Sequence, residues 1–209
     1  MLARETPLGL PHICWPVGGS VIKVTLHLCR NKIGELARLL ATRAKAVHGI
    51  DSDPDIVSRA RELTAQAAPV TFTVADAPAG IPPGPYDIIT CVATVHHLTF
   101  TDALTHFREH LAPGGTLVVV GLSRETTLGD HLLSCTSIPL NAAMGWIKNK
   151  GRRAPRPDSM TARTRAAEMS FSDIVREARQ VLPGVRLRRR LFWRYTLVWR
   201  DGSCERGLR

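Results

Sequence analysis

Four sets of residues have the types and spacing to do chemistry. His96 and His97 are adjacent, and imidazole titrates near neutral pH, so either could act as a base toward an acidic proton. The structural alternative is a capping or packing histidine at the start of the next helix. Asp51 ends the stretch Ala46-Val47-His48-Gly49-Ile50, with Ser52 beside it and Asp53-Pro54 opening a helix. An acid at the carboxyl end of a strand can hydrogen-bond a ribose diol, or it can simply cap a turn. Asp76, in Val74-Ala75-Asp76-Ala77, follows the next apolar run in the same way. Cys91 and Val92 end the run Tyr86-Asp87-Ile88-Ile89-Thr90-Cys91-Val92. No activating partner for the Cys91 thiol is identifiable, so a covalent nucleophile is not indicated. A nucleotide-type ligand held at strand tips is the first hypothesis.

Those tips need a scaffold. Val21–Leu28 alternates as a first strand, and Ile33–Ala44 carries apolar residues at helical spacing. Ala46–Ile50 is a second strand and Pro54–Ala68 a second helix, with Asp53 as N-cap and Pro54 at the first helical position. Val70–Val74 and Tyr86–Val92 are strands, the latter continuous enough to be covered on both faces. Thr101–Leu111 is a helix stopped by Pro113-Gly114-Gly115, and Thr116–Gly121 is a strand. This alternation predicts α/β architecture with a parallel sheet. Residues 123–164 lose the pattern and read as a cap or insertion. Ser172–Leu182 returns to helix. Val185–Phe192 and Tyr195–Arg200 read as an antiparallel hairpin separated by about two residues, its edge guarded by Arg186, Arg188 and Arg190. The domain is expected over residues 21–200, with an irregular arm at 1–20 and a tail at 201–209.

The chain has 209 residues, 44% of them hydrophobic, and a mean hydropathy of −0.03, which fits one globular domain with a full core. Thr116–Leu122 is its longest strongly apolar run, far short of the roughly 20 residues of a membrane span. Met1–Ser20 has no continuous apolar core of the secretory type. The five cysteines are scattered without a C-x-x-C pair, arguing against a disulfide framework or zinc site and for a cytoplasmic setting. The net charge of +10 is uneven. From Lys148 onward there are 17 Lys/Arg, 15 of them arginine, against 6 Asp/Glu; before it, 11 against 12. That asymmetry allows an anionic partner, but a solvated arginine-rich face is the favoured reading. No basic–aromatic platform for a single strand is present, so nucleic acid is not the expected partner.

Taken together, these residues resemble the class I S-adenosylmethionine (SAM) dependent methyltransferases, in particular the small-molecule branch of the type 11/25 kind, over roughly Gly34–Arg200. Gly49-Ile50-Asp51 resembles that family's acidic strand tip, and Asp76-Ala77 its adenine-side acid. Tyr86–Val92 followed by Val95-His96-His97-Leu98 resembles its fourth-strand motif. Leu111-Ala112-Pro113-Gly114-Gly115-Thr116-Leu117 resembles its turn into the fifth strand. The resemblance implies a Rossmann-like three-layer sandwich with a mostly parallel seven-stranded sheet ending in an antiparallel hairpin. It implies SAM as cofactor, a small-molecule methyl acceptor, and Gly34, Asp51, Ser52, Asp76, Ala77, Cys91 and Val92 as cofactor-binding residues. It also implies His96 or His97 as substrate-side base, the Cys91 carbonyl as an acceptor for the cofactor's ammonium, and residues 132–160 as the selector of substrate. Trp146, Trp193, Tyr195 and Trp199 could form an aromatic lid, although packing is expected for Trp193 and Trp199.

One motif departs from the pattern. The family's first strand ends in an acid and G-x-G-x-G, whereas here Leu28, Arg30 and Lys32 stand where the acid and two glycines belong, and only Gly34 matches. Glycine serves there by allowing positive φ and close backbone approach to the ligand. Three accounts follow: a rebuilt loop in which Arg30 or Lys32 pairs with the cofactor carboxylate, a pseudo-methyltransferase acting as a binding or scaffold protein, or a reading-frame shift across Met1–Ile33.

Overall fold

The computed structural model describes residues 23–28, 33–92, 95, 98–124, 146–147, 167–190 and 194–202. The expected N-terminal arm, most of the expected cap and nearly all of the tail lie outside these residues. So do Arg30, Lys32, His96, His97 and Trp193.

The strands are β1 (Lys23–Leu28), β2 (Ala46–Asp51), β3 (Val70–Val74), β4 (Tyr86–Val92), β5 (Leu111–Leu122), β6 (Arg186–Arg189) and β7 (Arg194–Arg200). The helices are α1 (Ile33–Ala41), α2 (Pro54–Glu62), α3 (Phe100–Glu109) and α4 (Phe171–Val181). The strands form one sheet in the order β3-β2-β1-β4-β5-β7-β6. β1 to β5 run parallel, while β7 pairs antiparallel with both β5 and β6. The order reverses between β1 and β4, and in an open α/β sheet such a reversal places the ligand crevice at the carboxyl ends of those strands.

Two layers cover the sheet. On one face Leu36, Ala37 and Leu40 of α1 and Val57 and Ala60 of α2 pack with Val47, Phe72 and Ile88. On the other, Ala103, Leu104 and Phe107 of α3 and Ile174 and Ala178 of α4 pack with Ile50, Ile89, Cys91, Val119 and Leu197. Alternate residues of β4 therefore enter different cores, which is why its sequence is nearly continuous in apolar residues.

Helix ends follow local chemistry where it is strong. The Asp53 Oδ1 atom accepts from the N–H groups of Asp55 (2.9 Å) and Ile56 (3.4 Å), and Pro54 takes the first helical position. Ser170 accepts from the Asp173 N–H (3.2 Å) and donates to Asp173 Oδ2 (2.6 Å), fixing the start of α4. Three sequence expectations need correction. α2 ends at Glu62 rather than Ala68. α3 stops at Glu109, before Pro113-Gly114-Gly115, because Leu111 already pairs with Tyr86 in the sheet. The hairpin strands are four residues apart, closed by the Arg190 N–H donating to Arg194 O (2.8 Å). β6 forms the sheet edge with Arg186, Arg188 and Arg189 exposed.

Candidate active site

The register aligns the carboxyl ends of the parallel strands on one rung. Leu28 is level with Val92, and Val92 with Val120. His27 is level with Ile50, so Asp51 stands one step beyond, and Asp51 is itself level with Val74. The Ala75 N–H donates to the Asp51 carbonyl (3.0 Å), carrying the β2–β3 pairing past the end of β3. Adjacent strands lie about 4.8 Å apart, so the tips of β2 and β4, on either side of β1, are separated by roughly 10 Å. One extended ligand can span that distance.

Asp51 has unusual surroundings for a carboxylate. It is 6% exposed. Its Oδ1 accepts from the Asp53 N–H (3.0 Å), so the turn-capping alternative is part of its role. Its Oδ2 is buried and has no hydrogen-bond partner among the described residues. Burial pushes the acid up from 3.8 to about 6, against the backbone hydrogen bond that pulls it down, with the Asp53 charge adding to the rise. A buried acceptor with unused lone pairs suits an O–H donor from a ligand.

The other sequence-predicted residues fall around this point. Ser52 and Asp76 are exposed and Ala77 is half-buried, at the tips of β2 and β3. Gly80 N–H donates to the Asp76 carbonyl (2.7 Å), closing the turn after β3. Cys91 is fully buried, one residue short of the β4 tip, and Val92 is half-buried against the α1–α2 layer. Gly34 sits in the first turn of α1, where a Cβ would meet Arg38 Nη1 at 2.8 Å and Ala60 Cβ at 3.4 Å. Its lack of a side chain thus serves the approach of α1 to α2. Among the aromatic residues considered for a lid, Trp146 is exposed, whereas Tyr195 and Trp199 are buried. Trp199 Nε1 donates to the Pro183 carbonyl (2.9 Å). Most of residues 132–160, the expected substrate selector, lie outside the described residues. Among the described residues no cluster of side chains could hold a metal ion.

Beside the β4 and β5 tips lies a cavity of about 270 Å³, walled by Val95, Leu98, Phe100, Met169 and Ile174 and bearing Thr101, Glu177 and Tyr195. Sequence reading missed Thr101 and Glu177, which meet across 76 positions, Thr101 Oγ1 donating to Glu177 Oε2 at 3.0 Å. The available signal was weak: Glu177 lies three residues after Ile174 and next to Ala178, on the flank of the buried stripe of α4.

A methyltransferase-domain family model matches residues 33–115. An uncharacterized methyltransferase of Mycobacterium tuberculosis is 29% identical over 173 residues, covering 80% of this chain and 82% of that protein. Both matches make the chain similar to the SAM-dependent methyltransferases. A trans-aconitate 2-methyltransferase of Streptomyces avermitilis is 34% identical over 90 residues, 40% of this chain and 34% of that one. Among solved structures, the N-methyltransferase NodS of Bradyrhizobium japonicum superposes with a TM-score of 0.54 at 14% identity, covering 86% of this chain and 84% of that one. The PH0226 protein of Pyrococcus horikoshii gives 0.58 at 18% identity, over 86% and 81%. The two structural likenesses show a shared Rossmann-like α/β fold. No helix among the described residues is long and apolar enough to cross a membrane.

Proposed function

We propose that this methyltransferase carries the methyl group of SAM to a small-molecule acceptor, with the cofactor laid across the tips of β1 to β4. The observation that carries the reading is the buried Asp51 Oδ2, an acceptor without a partner among the described residues, at the strand tip beside the reversal of strand order. Asp51 accepts the ribose hydroxyls, with Ser52 beside it. Asp76 and the Ala77 backbone meet the adenine, and Cys91 and Val92 border the methionine end at the β4 tip, with Gly34 opening the helix behind it.

SAM supplies a methyl group already activated by a positively charged sulfur, so the chain need not form a covalent intermediate. Its contribution is alignment of the acceptor in line with that methyl and exclusion of water. His96 or His97 takes the proton that the acceptor gives up. The Cys91 carbonyl receives the cofactor's ammonium, and in place of the usual glycine loop Arg30 or Lys32 pairs with its carboxylate. The acidic Asp51 gives the site a pH signature, because its ionised form accepts more hydrogen bonds than its protonated form.

Calorimetric titration of the full chain with SAM and with S-adenosylhomocysteine tests the reading. Saturable binding is expected, weakened about tenfold or more by Asp51→Ala, the loss of one or two hydrogen bonds to a charged group. A folded protein that takes up neither compound at millimolar concentration refutes the enzyme reading. It would favour the pseudo-methyltransferase to which Leu28, Arg30 and Lys32 point.

A further inference from the structure

The cavity beside the β4 and β5 tips is apolar except at a few atoms, and those atoms have a sign. Glu177 is half-buried in its wall, held by one neutral donor, the Thr101 hydroxyl (3.0 Å). Among the described residues it forms no ion pair, because the neighbouring Arg176 is taken by Asp173 (2.7 Å) and the Arg108 Nη1 atom donates to the Val181 carbonyl (3.0 Å). No lysine or arginine is among the described residues that line the cavity, while Glu168 adds a second carboxylate at its exposed side. Tyr195, 1% exposed, also lines this space, with its ring and hydroxyl lying against Gly121. Burial keeps this phenol neutral by raising it far above its ordinary value, so it both donates and accepts.

We propose that this cavity is the acceptor pocket and that it takes an amine, an apolar body with a cationic nitrogen held by Glu177. The substrate class rests on the methyltransferase reading for its position, since the cavity adjoins the β4 tip where the methyl group would lie. Its chemistry rests on the cavity alone. A carboxylate offers about four lone-pair directions, of which Thr101 uses one. Glu177 lines the cavity, and a cationic guest would give its remaining directions a charged partner. A carboxylate guest would meet the like charge of Glu177 and no cation among the described lining residues. The volume is that of about nine waters, enough for a small arylalkyl or alkyl amine. The Thr101–Glu177 bond also ties α3 to α4, and a purely structural clamp is the competing explanation.

Three probes of matched shape separate these accounts: phenethylamine, 2-phenylethanol and phenylacetate, titrated into the full chain with and without S-adenosylhomocysteine. The amine is expected to bind at least tenfold more tightly than the alcohol, with phenylacetate weakest. Glu177→Gln keeps an oxygen to accept from Thr101, so the clamp survives, yet it should bring the amine down to the alcohol's affinity and leave the alcohol unchanged. Glu168→Gln, at an exposed position, should weaken the amine only about two- to threefold. Equal binding of amine and alcohol, tighter binding of phenylacetate, or an unaltered amine affinity in folded Glu177→Gln overturns the proposal. Failure of S-adenosylhomocysteine to bind in the same samples refutes the cofactor reading instead. The order of the three probes is read independently of it.

Discussion

Replacing Asp51 by Asn gives a change whose size and pH window follow from the strand tip. The carboxyl rises from 3.8 to about 6 on folding, mainly through burial. An acid raised in this way favours the folded state when protonated. Its most favourable contribution is therefore present below about pH 4 and is lost as pH rises through about 6. A shift of roughly two units corresponds to about 3 kcal/mol in total. Linkage places about 1 kcal/mol of that loss below pH 4.5 and about 2 kcal/mol between pH 4.5 and 7.5. Asn keeps an oxygen for the Asp53 N–H but has no charge to desolvate. Urea unfolding of both proteins at about pH 4.5 and 7.5 should show the variant gaining about 2 kcal/mol relative to wild type over that interval. A buried amide left without a partner can lower its stability at both pH values by about 1–3 kcal/mol, but that offset is nearly independent of pH. The same variant should lose affinity for S-adenosylhomocysteine, and in the wild type that affinity should fall as pH drops below about 6. A pH-independent difference in stability would mean that Asp51 is not desolvated as described, and the hook for a ribose would lose its physical basis.

Further predictions concern the parts that hold the site in place. Ser170→Ala removes the N-cap of α4, and a loss of about 1 kcal/mol is expected from denaturant midpoints; because α4 carries Glu177, amine affinity should fall with it. Gly121→Ala sets a methyl against the buried Tyr195 ring across the β5–β7 pairing, so overpacking of about 1–3 kcal/mol should appear as a lowered melting temperature. In Gly34→Ala the new methyl meets the mobile end of Arg38, which would give up its 3.3 Å bond to Thr64. A better helix former then offsets a lost hydrogen bond, leaving stability within about 1 kcal/mol of wild type. A cofactor affinity reduced more than tenfold in that variant would show that the glycine serves the ligand as well as the packing of α1 on α2.

The parts legible in the sequence are those whose cause is local. Asp53-Pro54 announces a capped helix because the cap and the proline act within four residues. Ala46–Asp51 reads as a strand with an acid at its end because the side chain that ends it is the one that matters. The end of α3 was misread because the deciding contact is distant. Gly114 does adopt positive φ (77°), as a turn there requires. But the helix has already given way to the pairing of Leu111 with Tyr86, and tertiary pairing outweighs a turn signal four residues on. Thr101 and Glu177 left no pattern for the same reason: their meeting depends on how α3 and α4 pack, and neither residue is unusual on an exposed helix.

β4 would separate the two ligands if cofactor and acceptor bind as proposed. Its residues alternate between cores, Ile88 and Val92 toward α1 and α2, Ile89 and Cys91 toward α3 and α4. The strand tips that favour a nucleotide lie toward β2 and β3, where Asp51 keeps an unused oxygen. The cavity that favours a cation lies on the other side, under α3 and α4 and against Tyr195. Tyr195 is close enough to Cys91 for that thiol to help hold its phenol neutral. A group passing from one ligand to the other must therefore cross at the tip of β4, between Val92 and Val95. His96 and His97 follow Val95 directly in the sequence. A base there needs only to be neutral at working pH, and an amine acceptor makes that demand sharper than an alcohol would. The ammonium must give up a proton before its nitrogen can attack, so the rate should rise with pH through the histidine range and then level off.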